Sequence, residues 1–318
     1  MAAEIAPGAR PEANLCISDR AFNVILYAAS GVVLALVVIL GYTLAKNSSA
    51  SLEHFGWRFL ISTDWDPVHQ HFGALPFVWG TLVTSFIALL LAVPVGVGTA
   101  IFLAELAPTA VSRPVSFLVE LLAAVPSVIF GLWGIFVAAP IIQKFELFVG
   151  ERWGHIPFFS GPPMGIGMLA AGIILAIMVL PFVASISTDA IRAVPRAQSE
   201  AGLALGTTRW ETLRGPVLRY AKKGILGGII LALGRALGET MAVTMLIGNT
   251  PTISISLFES GYSMASVIAN EFAEAMGHLH AAAMSEIALL LLLLTVAVNA
   301  VARLLIWGST GMQGGDKR

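Results

Sequence analysis

Six stretches of this chain stay apolar for about 20 residues or more, the length a helix needs to cross a hydrocarbon layer. They cover residues 22–45, 77–103, 115–141, 164–187, 224–248 and 285–307. All are too long and continuous for strands, and none alternates with period 2 as a barrel strand would. Hydrophobic residues make up 57 % of the chain and charged residues only 12 %, about half the charge of a soluble domain. This argues against a soluble enzyme, a DNA-binding domain or a disordered chain. The first stretch is expected to remain as a span, because it exceeds the ~7–15 apolar residues of a signal core and no small-x-small site closes it. The single cysteine, Cys16, rules out an internal disulfide and a Cys-rich metal site. It reads as an inert thiol in a tail.

An even number of spans puts both termini on one side. That side carries Arg10, Arg20, Arg113, Arg192, Arg196, Arg209, Arg214, Arg219, Lys222, Lys223, Arg303, Lys317 and Arg318, whereas Lys46, Arg58, Lys144 and Arg152 fall opposite. Positive residues mark cytoplasmic loops, so both termini are expected in the cytoplasm and the histidines outside. The expected organisation is a cytoplasmic tail at 1–20, a first span with its outer loop at 21–76, a membrane domain at 77–307 and a tail at 308–318. Within the membrane domain lies a basic inner loop at 189–223. The pairs His69/His71 and His278/His280 read as solvated loop residues, since no third or fourth metal ligand accompanies them. Trp65 and Trp79 read as interfacial anchors, Pro94, Pro126, Pro140 and Pro181 as helix kinks, and Glu120 as a snorkelling or capping residue at the inner end of the third span.

In the inner loop, Val194-Pro195 starts a new element. Ala201 to Leu205 is expected to form a short helix closed by Gly206. Gly202 and Ala204 are small enough for another protein to approach the backbone, although such a helix also suits the membrane surface. A phosphate-binding P-loop needs Gly-Lys followed by Ser or Thr, and no Gly-Lys dipeptide occurs in the chain.

The fifth stretch contains Gly234-Arg235-Ala236-Leu237-Gly238-Glu239-Thr240. In a continuous helix Arg235 and Glu239 share one face. Counting ~1.5 Å per residue from Gly224 puts Arg235 roughly 16 Å deep, near the midplane. An arginine there costs about 2.5–3.5 kcal/mol to insert. Two readings are open: an interhelical ion pair that fixes packing, or a polar pathway in which Arg235 is a fixed positive charge for an anion. Gly224 and Gly228, and Gly234 and Gly238, are four apart and would admit a second helix closely. A counterpart in another subunit is expected there.

Two of these segments resemble a known family. Glu200, Ala201, Gly202 and Gly206 resemble the Glu-Ala-Ala-x-x-x-Gly loop of ABC importer permeases, with Gly202 in place of the second Ala. Nine residues further on, the family's Ile-x-Leu-Pro is replaced by Pro216-Val217-Leu218-Arg219, where only the Leu matches. Arg235-Ala236-Leu237-Gly238-Glu239 resembles the core shared by oxyanion permeases. Its continuation, Thr240-Met241-Ala242-Val243-Thr244 to Ile247-Gly248-Asn249-Thr250, resembles the phosphate branch rather than the sulfate and molybdate branches. Trp65-Asp66-Pro67 with Phe72-Gly73, residues 80–85, residues 120–127 with Gly131-Leu132-Trp133-Gly134, and residues 269–275 are similar to PstC-type permeases. The resemblance runs from about 64 to 307.

It implies an all-α integral membrane protein of six transmembrane helices with the type I ABC importer permease (MetI-like) fold. It implies a permease role, not an enzyme's, in the bacterial inner membrane. Glu200, Ala201, Gly202 and Gly206 would couple to a cytoplasmic ATPase, and Arg235, Glu239, Thr240 and Asn249 would line a substrate pathway. The implied partners are a PstA-like second permease, a PstB-like ATPase dimer carrying ATP and Mg, a PstS-like phosphate-binding protein, inorganic phosphate and membrane lipid. No nucleic acid, metal or cofactor of the chain's own is implied. The alternatives are a sulfate or molybdate permease, a proton-coupled secondary transporter using Arg235 and Glu239 as relay, and a sensory or scaffolding subunit.

Overall fold

The computed structural model describes the backbone of residues 15–311 and the side-chain surroundings of residues 21–304. Most of the two expected tails, with Arg10, Lys317, Arg318 and the side chains of Cys16 and Arg20, lies outside the described residues. Among the described residues the regular structure is helical, joined by loops and with two isolated bridges. In order the helices are α1 (Leu15–Asn47), α2 (Ser49–Phe55), α3 (Arg58–Ile61), α4 (Leu75–Ile101), α5 (Thr109–Ala123), α6 (Ser127–Trp133), α7 (Ala139–Trp153), α8 (Met168–Arg192), α9 (Arg196–Ala204), α10 (Arg209–Thr212), α11 (Leu218–Gly238), α12 (Met241–Leu246), α13 (Met264–Glu271) and α14 (His278–Gly311). α1 begins inside the stretch expected as a tail.

Among the described residues, five helical segments are long and apolar enough to span a membrane: Ala21–Asn47, Leu75–Leu106, Ser127–Trp153, Met168–Arg192 and His278–Leu304. Two expected spans need correction. The third does not run 115–141. Ala124, Val125 and Pro126 separate α5 from α6, because Pro126 has no N–H to continue the ladder and disfavours helix in the residue before it. α5 is an amphipathic helix of its own, carrying Arg113 and Glu120. The span is α6 joined to α7 through a wide turn at Gly134–Ala138. The fifth expected span, 224–248, breaks after Gly238 into α11 and α12.

The core sits between α4 and α8. The apolar window of α8 is 61 % buried, against 0 % for α1, so α8 is the central helix and α1 offers its apolar surface outward. Small residues let α4 and α8 touch. A Cβ on Gly96 would stand 2.9 Å from the Val183 side chain, and one on Gly172 would stand 2.6 Å from Ile87. α11 lies on α8 in the same way, since a Cβ on Gly224 would collide with Ala190 and one on Gly228 would stand 3.0 Å from Ile186. The helix that Gly224 and Gly228 admit is therefore α8 of the same chain, not another subunit. At Gly234 the nearest neighbour is Asn299 of α14, at ordinary contact distance, and the space beside Gly238 is open.

At the other end of the helices an aromatic cluster closes the fold. Phe59, Phe72, Phe77 and Tyr262 are buried there, and the Trp65 Nε1–H donates to Glu271 Oε2 at 2.9 Å. His280 is only 7 % exposed and stacks on Phe72 with ring centroids 5.1 Å apart. The expectation of a solvated His280 is corrected: its place in the first turn of α14 aims it into this cluster. The free N–H groups at the start of α8 find carbonyls in the facing loop, Met168 N–H to Glu259 O (3.1 Å) and Leu169 N–H to Leu257 O (2.9 Å), which satisfies donors a helix start leaves orphaned.

Candidate functional site

The break between α11 and α12 gathers three of the four residues expected to line a pathway. Glu239 leaves the helix with φ −69° and ψ 127°, so it does not continue the face that carries Arg235. Instead the Ala242 N–H points to Glu239 Oε1 at 3.4 Å, a long contact by which Glu239, the residue before the N-cap Thr240, does the work of a cap for a first-turn donor. The Thr244 N–H and hydroxyl both donate to the Thr240 carbonyl, at 2.9 and 2.7 Å, and the Thr240 hydroxyl donates to Gly238 O at 3.3 Å. The carboxylate thus stands at the start of α12 and the guanidinium in the last turn of α11. Each charge has the sign that the partial charges of its helix end favour. This accounts for the Arg-before-Glu order, the weaker one for a pair on one continuous helix.

Arg235 is half-buried. Its guanidinium carbon lies 4.6 Å from the centroid of the Phe182 ring on α8, and its Nε is buried with no hydrogen-bond acceptor. Among the described residues no ion pair includes Arg235 or Glu239. The expectation that Arg235 and Glu239 share one face of a continuous helix is corrected: α11 ends at Gly238 and the break removes that geometry. Phe182 had no mark in the sequence, being one aromatic residue in a long apolar run. Asn249 is placed elsewhere. It lies beyond the far end of α12, in a turn where Gly248 (φ +92°) and Asn249 (φ +52°) both take left-handed conformations, and its side-chain amide donates to Thr244 O at 2.9 Å. Asn249 closes α12, whereas Arg235, Glu239 and Thr240 cluster at its start. Its Oδ1 is buried without a partner.

The second region is the basic loop between α8 and α11. α9 starts after Pro195 and runs five residues earlier than the expected helix. It ends before Gly206, whose φ of +82° is a left-handed value that glycine adopts without the penalty other residues meet. Glu200, Ala201 and Gly206 are exposed and Gly202 is buried. A Cβ on Gly202 would stand 3.0 Å from Thr212 and 3.4 Å from Pro216. Gly202 therefore serves the fold of the loop itself, not an approaching protein. Thr207 ties the same corner, its hydroxyl within 2.8 Å of Gly202 O and 2.7 Å of Thr212 Oγ1.

α10 begins with a reciprocal cap. The Thr208 N–H and hydroxyl both donate to Glu211 Oε2 at 2.8 Å, and the Glu211 N–H donates to Thr208 Oγ1 at 3.3 Å. These bonds hold the Glu211 carboxyl below its ordinary pKa. The Thr-x-x-Glu spacing that signals such a cap is legible at 208–211. Pro216 then widens the next turn, Leu213–Val217, since it offers no N–H and its ring crowds the preceding turn. The loop leaves Leu205 85 % and Trp210 60 % exposed. Leu203 and Trp210 border a cavity of about 400 Å³ shared with Glu105 and Arg209.

A family model described as "Binding-protein-dependent transport system inner membrane component" matches residues 92–306. The chain is 44 % identical over 298 residues to the phosphate transport system permease protein PstC of Mesorhizobium japonicum, covering 92 % of this chain and 91 % of that one. It is 47 % identical over 269 residues to PstC of Pasteurella multocida, covering 83 % and 84 %. Among solved structures, the MetNI methionine ABC transporter in an inward-facing conformation aligns with a TM-score of 0.52 at 21 % identity, over 74 % of this chain and 94 % of that one.

Proposed function

We propose a transport role on one premise: the chain belongs to the family of binding-protein-dependent transport system inner membrane components, and within it to the PstC phosphate permeases. It is a multi-pass permease subunit of an ATP-driven phosphate importer and forms half of the translocation pathway. Its partners are a PstA-like permease, a PstB-like ATPase dimer that handles ATP and Mg, and a PstS-like extracytoplasmic binding protein. Both termini lie in the cytoplasm, in accord with the Lys and Arg bias. α9 and its flanking residues are the coupling helix. Its exposed Leu205 and Glu200, with the exposed Trp210 on α10, suit insertion into a groove of the ATPase.

The observation that carries the pathway reading is Arg235: a guanidinium at a helix break, with an unused Nε and no carboxylate partner among the described residues. A cation near mid-membrane is costly unless it faces a cavity or a counter-charge. A phosphate oxyanion supplies that charge, and the planar fork of Arg donates to two oxygens at once. Closure of the ATPase dimer shifts α9, the two permeases open outward, and phosphate released by the binding protein meets Arg235. The Phe182 ring holds the guanidinium with a weak cation–π contact that an arriving anion outcompetes, so the ion is bound loosely enough to leave.

The test is uptake of labelled phosphate by the complete complex in liposomes. Arg235→Gln should lower uptake at least about tenfold, from the ~1.5–3 kcal/mol of a charge-assisted hydrogen bond. Arg235→Lys should keep part of it, since Lys supplies charge without the fork. Co-purification of all partners checks assembly. Normal uptake by a well-assembled Arg235→Gln complex would end the pathway reading.

A further inference from the structure

Arg192 is the last residue of α8, and only Ala193, Val194 and Pro195 separate it from α9. Its Nη2 donates to Ser112 Oγ at 2.7 Å and to Leu103 O at 3.3 Å. The Ser112 hydroxyl donates to the same Leu103 carbonyl at 2.7 Å. Ser112, on α5, is 6 % exposed. Leu103 belongs to the wide turn Phe102–Leu106 that ends α4.

The sequence explains why that carbonyl is available. In the wide turn the Ala107 N–H reaches back five residues to Phe102 O at 2.8 Å. The next donor in this register, for Leu103 O, would be residue 108, which is a proline without an N–H. The orphaned carbonyl is satisfied from outside by Ser112 and Arg192, as buried backbone groups require. The guanidinium takes this role although Asp189 and Glu120 line the same small cavity; among the described residues it forms an ion pair with neither.

We propose that Arg192 is a positioning residue for transport: it locks the end of α4 and the start of α5 to the end of α8, so that motion of α9 is delivered to three helices. The other attachment of α9, through Gly202, Thr207 and Thr212, leads towards α11 and Arg235. Without the Arg192 lock, α9 would still drive α11 while the end of α4 and the start of α5 lag behind the end of α8. The inference rests on α9 being the coupling helix.

The experiment measures phosphate moved per ATP hydrolysed by the complete complex in liposomes, with binding protein present. Networks that link sites modulate coupling enough to change this ratio by about twofold to thirtyfold, and Arg192→Gln should lower it within that range. Arg192→Lys should restore part, because its ammonium can donate to the same acceptors but sits on a flexible stem without the rigid planar guanidinium that fixes the geometry. A role confined to folding would lower assembled complex and leave the ratio unchanged. An unchanged ratio in assembled Arg192→Gln overturns the proposal. If that variant does not assemble, Ser112→Ala, which keeps Arg192 and removes the hydroxyl between it and Leu103, decides: a lowered ratio supports the lock and an unchanged one overturns it. Leu205→Glu tests the underlying reading separately. If its ATPase stays bound and fully stimulated, α9 is not the coupling helix, whatever Arg192 does.

Discussion

α8 and the α11–α12 segment begin as similar strings of apolar sequence and end as opposite structures. α8 contains Pro181, the residue most hostile to a helix interior, yet runs unbroken for 25 residues. The other segment has no proline between Leu218 and Leu246 and still breaks, after Gly238. α8 lies in the core, where α4 and α11 pack on it. A break there would leave backbone donors and acceptors unsatisfied in an apolar setting, at several kcal/mol each. At the α11–α12 break the freed groups have local partners: Glu239, Thr240 and Thr244 take them up. A membrane helix ends where its polar groups can be satisfied, and intrinsic propensity is secondary.

The largest effect should come from disturbing the continuous region. Gly172 has no room for a side chain against Ile87, so Gly172→Leu should force α4 from α8 at about 3 kcal/mol or more, the upper end of overpacking. Recovery of assembled complex after detergent extraction measures it. Full recovery would mean that the α4–α8 contact is not the rigid element the comparison requires. Next comes the ring beside Arg235. Phe182→Leu removes a cation–π contact of about 0.5–2 kcal/mol that competes with the anion, so phosphate should sit about twofold to thirtyfold tighter on Arg235 and leave more slowly, lowering uptake with assembly intact. Uptake equal to wild type would show that the guanidinium is held by something else.

Glu239 separates the two explanations of its charge. As a cap, its oxygen accepts from the Ala242 N–H, a role the amide of Gln also fills; Ala removes it at about 1 kcal/mol. Glu239→Gln should therefore assemble like wild type, and Glu239→Ala should lower the temperature of inactivation. Equal stability of the two variants would refute the cap.

The contrast also explains what could be read from the sequence. The first, second, fourth and sixth apolar stretches became helices because their length and composition leave no other way to satisfy a backbone in lipid. The Val194-Pro195 break and the Gly206 stop were legible because each rests on the local conformational limits of one residue. Pro126 also marked the end of α5, but the apolar residues on both sides of it read as one span. The faces of Gly224 and Gly228 were not legible: spacing states that a helix approaches, not which one. Nor was the break at Gly238, since Arg235 and Glu239 at i and i+4 describe a helical pair as well as two opposed helix ends. Nothing about Arg192 in the sequence pointed to Leu103. That contact needs Pro108, Ser112 and Arg192 brought together by the fold.

The smallest expected effect tests the comparison most finely, because it concerns the glycine at the break itself. Gly238 takes no left-handed conformation, and a Cβ built on it would meet no atom within 4 Å. Alanine favours a helix over glycine by about 1 kcal/mol. If glycine were the cause of the break, Gly238→Ala should extend α11 through Glu239, remove the cap on α12 and cut transport. If the break is held by Arg235 at one helix end and Glu239 at the other, alanine should be accepted, with stability within about 0.5 kcal/mol of wild type and unchanged phosphate uptake. Gly224→Ala provides the reference, since the same substitution there runs into Ala190 and should weaken the α8–α11 contact by about 1–3 kcal/mol. Loss of uptake by an assembled Gly238→Ala complex would move the cause of the break from the charges to the glycine, and Arg235 would then be exposed by backbone freedom alone.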